Sequence, residues 1–141
     1  FNYGLILGWV CIKGQIDMLP IIFYVGAIFW TLGFDTIYGY QDLKDDEIIG
    51  LKSTSIKFKK NPHKFLIMCY SIFIFCALTV GILMKFKSLF YVFSIIPILH
   101  LMMYQIKKLK FQDPNNCLRI FKSNNFFGFI IFINILIGKL N

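Results

Sequence analysis

The chain has 141 residues, 57% of them hydrophobic and 18% aromatic, with a formal net charge of +8. Soluble domains of this size are about 45–50% apolar, so the composition excludes an ordinary soluble domain. The charge does not point to nucleic acid either, because the lysines gather in alternate loops between apolar runs.

The elements follow in chain order. Phe1 to about Lys13 is apolar from its first residue and reads as a truncated membrane helix. It has neither the charged start nor the small-residue cleavage site of a signal peptide, so the chain is expected to be the later part of a longer membrane protein. A second helix is predicted from about Met18 to Asp42, with Pro20 tolerated in its first turn. A polar connection from about Leu43 to Asn61 follows. "NPHKF" then opens a third helix, with Asn61 as N-cap and Pro62 at the first helical position, and no charge falls between Phe65 and Met84. A short turn at Lys85–Lys87 leads to a fourth helix, Ser88 to Ile106, free of Asp, Glu, Lys and Arg. Pro97 should kink it. "DPNN" repeats the start signal with Asp113 and Pro114, and the fifth helix carries the apolar run Phe126–Gly138.

Spanning a bilayer takes roughly 20 apolar residues as helix. In lipid the backbone must satisfy its own polar groups within the segment. The predicted fold is therefore all-α, a transmembrane bundle of about five helices, with residues 1–141 forming a single partial membrane domain. Lys44, Lys52, Lys57, Lys59, Lys60 and Lys64 follow the second helix. Lys107, Lys108, Lys110, Arg119 and Lys122 precede the last apolar run. The positive-inside rule puts both clusters on the cytoplasmic side or its equivalent, where anionic lipid headgroups are the usual partner. Cys69 and Cys76 lie about 10 Å apart along one helix, too far for a disulfide. With Cys11 and Cys117 they read as free thiols without metal spacing.

The acids concentrate in one stretch, Phe34 to Phe58, directly after an apolar run. At 100° per residue, Asp42 and Asp46 fall about 20° to either side of Asp35, with Tyr38 about 60° away. If the helix continues that far, Asp35, Tyr38, Asp42 and Asp46 form one stripe flanked by Asp45. An acid near membrane depth costs roughly 2.5–3.5 kcal/mol and usually serves a cavity. Clustered carboxylates repel one another unless a hard cation lies between them. Mg²⁺ takes one or two carboxylates and completes its sites with water and phosphate oxygens. The spacing thus points to carboxylates, Mg²⁺ and a diphosphate at a membrane surface. An acidic loop, in which Asp45 and Glu47 are plain surface charges, and a cation or proton pathway are the alternatives.

The stretch "DTIYGYQDLKDDEIIGLKSTS" resembles the second aspartate-rich motif of the UbiA superfamily of intramembrane prenyltransferases. It is most similar to the 4-hydroxybenzoate polyprenyltransferase branch, whose pattern runs D-T-x-Y-x-x-x-D-x-x-D-D and then G-x-K-S-T. Asp35, Thr36, Tyr38, Asp42, Asp45, Asp46, Gly50, Lys52, Ser53 and Thr54 match it. "CLRIFKSNNFFGFIIF", Cys117 to Phe132, is similar to the last helix of the same branch.

The resemblance implies a bundle of nine transmembrane helices around a cavity open to lipid, of which this chain supplies about the last five. It implies transfer of a polyprenyl group from polyprenyl diphosphate to the ring of 4-hydroxybenzoate, in ubiquinone synthesis. Paired Mg²⁺ ligands fall on Asp42 and Asp46, with Asp35 in support and Asp45 beside them. A first motif of the N-D-x-x-D-x-x-x-D kind has no counterpart here, so the chain alone is expected to be inactive. Lys52 is a candidate diphosphate contact and equally an interfacial lysine. Tyr38 is a candidate for bonding an aspartate or facing an allylic cation, and equally an interfacial tyrosine. Ser53 and Thr54 are expected to cap a short helix. His100 reads as a hydrogen-bonded helix contact, and Asn124 and Asn125 as bonds across helices. The expected setting is a bacterial inner membrane, or alternatively the mitochondrial inner membrane, with the acidic loop on the cytoplasmic or matrix side. No protein partner is predicted. The alternatives to this enzyme are a non-enzymatic membrane subunit, a cation-pathway bundle and another aromatic prenyltransferase of the family.

Overall fold

The computed structural model describes residues 2–140 and is helical, with no strand among the described residues. Helix α1 spans Tyr3–Lys13 and stops at Gly14, whose φ of 72° is left-handed. Helix α2 spans Met18–Gly39. Two short helices, α3 (Leu43–Ile49) and α4 (Thr54–Lys57), fill most of the polar connection. Helix α5 spans Pro62–Leu83. Four stretches are long and apolar enough to cross a membrane: Met18–Gly39, Pro62–Leu83, Ser88–Ile106 and Pro114–Leu140.

The main packing interface joins α2 to α5. Gly26 and Gly33 make it possible. A Cβ on Gly26 would lie 2.8 Å from the Cβ of Cys76, and one on Gly33 would strike the Tyr70 ring. The two glycines are seven residues apart and so share a helix face. Small residues of this kind let membrane helices approach closely.

Helix α5 begins as its sequence implies, with Pro62 in the first turn, but Asn61 makes no side-chain cap bond. Its end is more specific. Lys85 has φ 54°, Lys85 N donates to Ile82 O at 3.0 Å, and Phe86 N donates to Gly81 O at 2.9 Å. This is a Schellman closure with lysine where glycine is usual, and it turns Phe86 back into the bundle, where only 8% of it is exposed.

The expected fourth helix is divided into α6 (Ser88–Phe93), α7 (Ile95–Leu99) and a π-helical stretch, His100–Ile106. Pro97 has no N–H to offer the Phe93 carbonyl, and the division falls beside that residue, at Ser94. The expected fifth helix is likewise two, α8 (Pro114–Lys122) and α9 (Asn124–Leu140), meeting at Ser123. Its start is as predicted, since the Asp113 carboxylate accepts from Asn116 N at 3.1 Å.

Four elements meet at a buried polar node. Asn124 Oδ1 accepts from Trp30 Nε1 at 3.1 Å and from Gln105 Nε2 at 3.0 Å, while Tyr70 donates to Gln105 Oε1. Asn124 thus bonds across helices as expected, whereas Asn125 is exposed. His100 stacks on Tyr104 and Phe127. Its Nδ1 has no partner, so aromatic packing holds this ring in place of the expected hydrogen bond.

Candidate site at the end of helix α2

The last turns of α2 carry Asp35, Thr36 and Tyr38. Asp35 and Tyr38 are exposed, while Thr36 is fully buried. The Thr36 hydroxyl donates to Leu32 O at 2.7 Å and lies 2.7 Å from the Thr54 hydroxyl. Ser55 Oγ donates to Thr36 O at 3.1 Å. Ser53 caps α4 as predicted, its Oγ accepting from Ile56 N at 3.3 Å. A Cβ on Gly39 would collide with Ser55 Oγ. The serine and threonine residues after Lys52 therefore fasten α4 against α2, through Thr36 and over Gly39. Lys52 itself is exposed.

The predicted stripe is corrected in one respect. Helix α2 ends at Gly39, not Asp42, and does not run on to Asp46. Asp42 occupies the N-cap position of the separate helix α3 without a side-chain cap bond, and Asp46 N donates to Asp42 O at 2.9 Å. The last turn closes on carbonyls three residues back, Tyr40 N donating to Ile37 O at 3.3 Å and Gln41 N to Tyr38 O at 3.0 Å, and Leu43 beyond it packs against the core. The Tyr40 side chain is 2% exposed and packs edge-on against Phe111 at 5.9 Å. Burial, with Cys117 nearby, pushes the Tyr40 hydroxyl up to about 12, and that hydroxyl finds no hydrogen-bond partner.

Asp35 and Tyr38 thus stand on one helix and Asp42, Asp45 and Asp46 on another. Asp45 and Asp46 lie in the first turn of α3, where a helix favours negative charge. Among the described residues no three His, Cys, Asp or Glu converge closely enough to hold a metal. The ion pair found there joins Lys59 to Glu47, the acid expected to be a surface charge. The Tyr38 ring rests on Phe121 of α8 at 4.7 Å, and Phe121 also meets Phe34 at 5.9 Å. Sequence reasoning did not find the roles of Tyr40, Ser55 and Phe121. The Y-x-Y spacing of Tyr38 and Tyr40 was the one available signal, since period 2 on a helix cannot keep both rings on one face.

An acidic rim at the mouth of an apolar bundle, with a hydroxyl-rich clamp behind it, now has a context among known proteins. A model of the UbiA prenyltransferase family matches residues 1–135. The chain belongs to that family. It is 37% identical over 143 residues to the cattle (Bos taurus) protein named 4-hydroxybenzoate polyprenyltransferase, mitochondrial, covering 99% of this chain and 38% of that protein. The human protein of the same name is 36% identical over 143 residues, with the same coverage of 99% and 38%. The 4-hydroxybenzoate geranyltransferase 1 of Lithospermum erythrorhizon is 36% identical over 141 residues, covering 99% of this chain and 45% of that protein. No solved structure matches. This UbiA-family chain therefore spans less than half the length of these relatives.

Proposed function

We propose that the full-length protein carrying this chain transfers a polyprenyl group from its diphosphate to the ring of 4-hydroxybenzoate, ortho to the hydroxyl, in ubiquinone biosynthesis. One observation carries the reading: the exposed acids Asp35 and Asp42, with the half-buried Asp46, rim an apolar bundle in a chain whose family relatives bear that activity in their names. Residues 1–141 are one portion of a larger helical domain.

The donor set at the rim is carboxylate oxygen, in or close to water, which suits a hard cation that keeps water and phosphate ligands. Asp42 and Asp46 would hold Mg²⁺, with Asp35 and Asp45 in support. When bound, the ion supplies positive charge against the leaving diphosphate. Lys52 adds a second cation for the same oxygens. Tyr38 sets its ring beside the carbon that becomes positive as the C–O bond breaks. The clamp of Thr36, Thr54 and Ser55 holds the Lys52 segment over the end of α2. Apolar walls take the prenyl chain, and the lysine-rich loops meet anionic headgroups of an inner membrane. The animal relatives are named as mitochondrial proteins, which supports the mitochondrial setting beside the bacterial one.

The donor's length has a second reading, because the Lithospermum relative is named a geranyltransferase. The test is an assay of the full-length protein in membranes with 4-hydroxybenzoate, a polyprenyl diphosphate and Mg²⁺. Prenylated acid that disappears on chelation supports the reading. No product at any donor length overturns it.

A further inference from the structure

The buried polar node has a fixed polarity. An indole N–H only donates and a backbone carbonyl only accepts. Trp30 Nε1 therefore sets the oxygen side of the Asn124 amide, at 3.1 Å, and the Phe121 carbonyl sets its nitrogen side, at 3.0 Å. Gln105 must then offer its Nε2 to Asn124 and turn its oxygen to the Tyr70 hydroxyl. No member can reverse without leaving a polar group unpaired. Asn124 is 8% exposed and Gln105 is fully buried, so water does not replace a lost bond. Buried networks satisfied in this way hold a single arrangement.

One arm of the node leads out to the acidic rim. Trp30, Phe34 and Tyr38 recur every fourth residue and so share a face of α2. Trp30 lies five residues before Asp35, about 7.5 Å along the helix. Its indole meets Phe34 edge-on at 5.2 Å. Phe121 of α8 lies across this face, 5.9 Å from the Phe34 ring and 4.7 Å from the Tyr38 ring. Asn124 thus grips the group of rings at two points, Trp30 by its N–H and Phe121 by its carbonyl. Tyr38 is 46% exposed, and among the described residues Phe121 is the one aromatic ring that bears on it.

We infer that Asn124 is a positioning residue for prenyl transfer: through Trp30 and Phe121 it fixes the Tyr38 ring at the acidic rim. The inference rests on the proposed reaction, in which Tyr38 faces the carbon that turns positive as the C–O bond breaks. A ring face attracts a cation, so this contact strengthens only as charge develops. Losing an interaction made only in the transition state lowers kcat and kcat/KM equally and leaves KM level. Asn124 touches no reacting atom. Its effect on the rate passes through the placing of Tyr38.

The test uses the full-length protein in detergent with a ring-fluorinated tyrosine at position 38. It is read by fluorine NMR and by steady-state kinetics with 4-hydroxybenzoate, a polyprenyl diphosphate and Mg²⁺. Asn124→Ala should shift or broaden the Tyr38 resonance and lower kcat about ten-fold or more, as displacement of a group from productive geometry does, with both KM values level. Trp30→Phe removes one N–H and keeps a ring. It should act in the same direction to a smaller degree, and it serves if Asn124→Ala fails to fold. Asn125→Ala, at the exposed neighbouring position, should change neither readout. In a Tyr38→Leu background, Asn124→Ala should lower kcat no further. An unmoved resonance or an unchanged kcat overturns the inference. Losses that multiply in the double variant also overturn it, because Asn124 then supports the bundle and not Tyr38. A resonance that responds to Asn124 in a protein that makes no prenylated acid would instead overturn the proposed reaction and leave the link from Asn124 to Tyr38 standing.

Discussion

The hydroxyls of Thr36 and Thr54 lie 2.7 Å apart, across the gap between α2 and α4. Thr36 already donates its proton to Leu32 O, so Thr54 is the donor of the pair. Thr54→Val removes that donor at nearly constant shape. It should loosen the Lys52 segment and raise KM for the polyprenyl diphosphate several-fold, while KM for 4-hydroxybenzoate stays level. Steady-state kinetics with each substrate varied in turn checks it.

Asp42→Ala and Asp46→Ala test the metal assignment. Each variant of the full-length protein is expected to lose Mg²⁺-dependent prenylation while still inserting in the membrane. Activity retained by both would remove these residues from the site. The purified 141-residue chain should show no turnover with the same substrates.

Tyr40→Phe should stabilise the protein or leave it unchanged. The hydroxyl is buried without a partner, and burying such a group costs about 1–3 kcal/mol in proteins. The pH dependence has a defined sign. The folded value of about 12 lies above the ordinary tyrosine value of about 10. Stability is complete below the ordinary value and declines as pH rises through the folded one. Thermal unfolding in detergent between those values should show that decline weakened in Tyr40→Phe.

Gly33→Ala places a methyl group against the Tyr70 ring. Overpacking of this kind costs about 1–3 kcal/mol. Because Tyr70 also donates to Gln105, its displacement should disturb the polar node as well. A lowered unfolding temperature in detergent is expected, larger than that of Gly8→Ala, where a Cβ meets nothing.

Local signals carried much of this fold into the sequence. Pro62 and the Asp113–Pro114 pair mark helix starts because proline and a capping acid act on their own turn. The apolar runs declare four spans because lipid tolerates little else. The end of α2 was not legible. Helical periodicity runs smoothly from Asp35 to Asp46, whereas the helix ends at Gly39, where Tyr40 packs against Phe111, more than 70 residues away, and Leu43 packs against the core. Long-range packing of that kind leaves no local trace. The π-helical stretch and the division at Ser123 are hidden for the same reason. At the candidate site, the motif nominates the acids, but their division between two helices leaves no mark in it.

That division bears on how the acids can be arranged. Asp35 rides on a membrane span locked to α5, whereas Asp42 and Asp46 ride on a seven-residue helix. Among the described residues, α3 is tied to its surroundings by Leu43, which packs against the core, and by the surface pair of Glu47 with Lys59. The spacing between the two sets of carboxylates is therefore set across a break between two helices and not along one continuous span. On the proposed function, a cation and its phosphate oxygens would have to bridge that break to bring Asp35 together with Asp42 and Asp46.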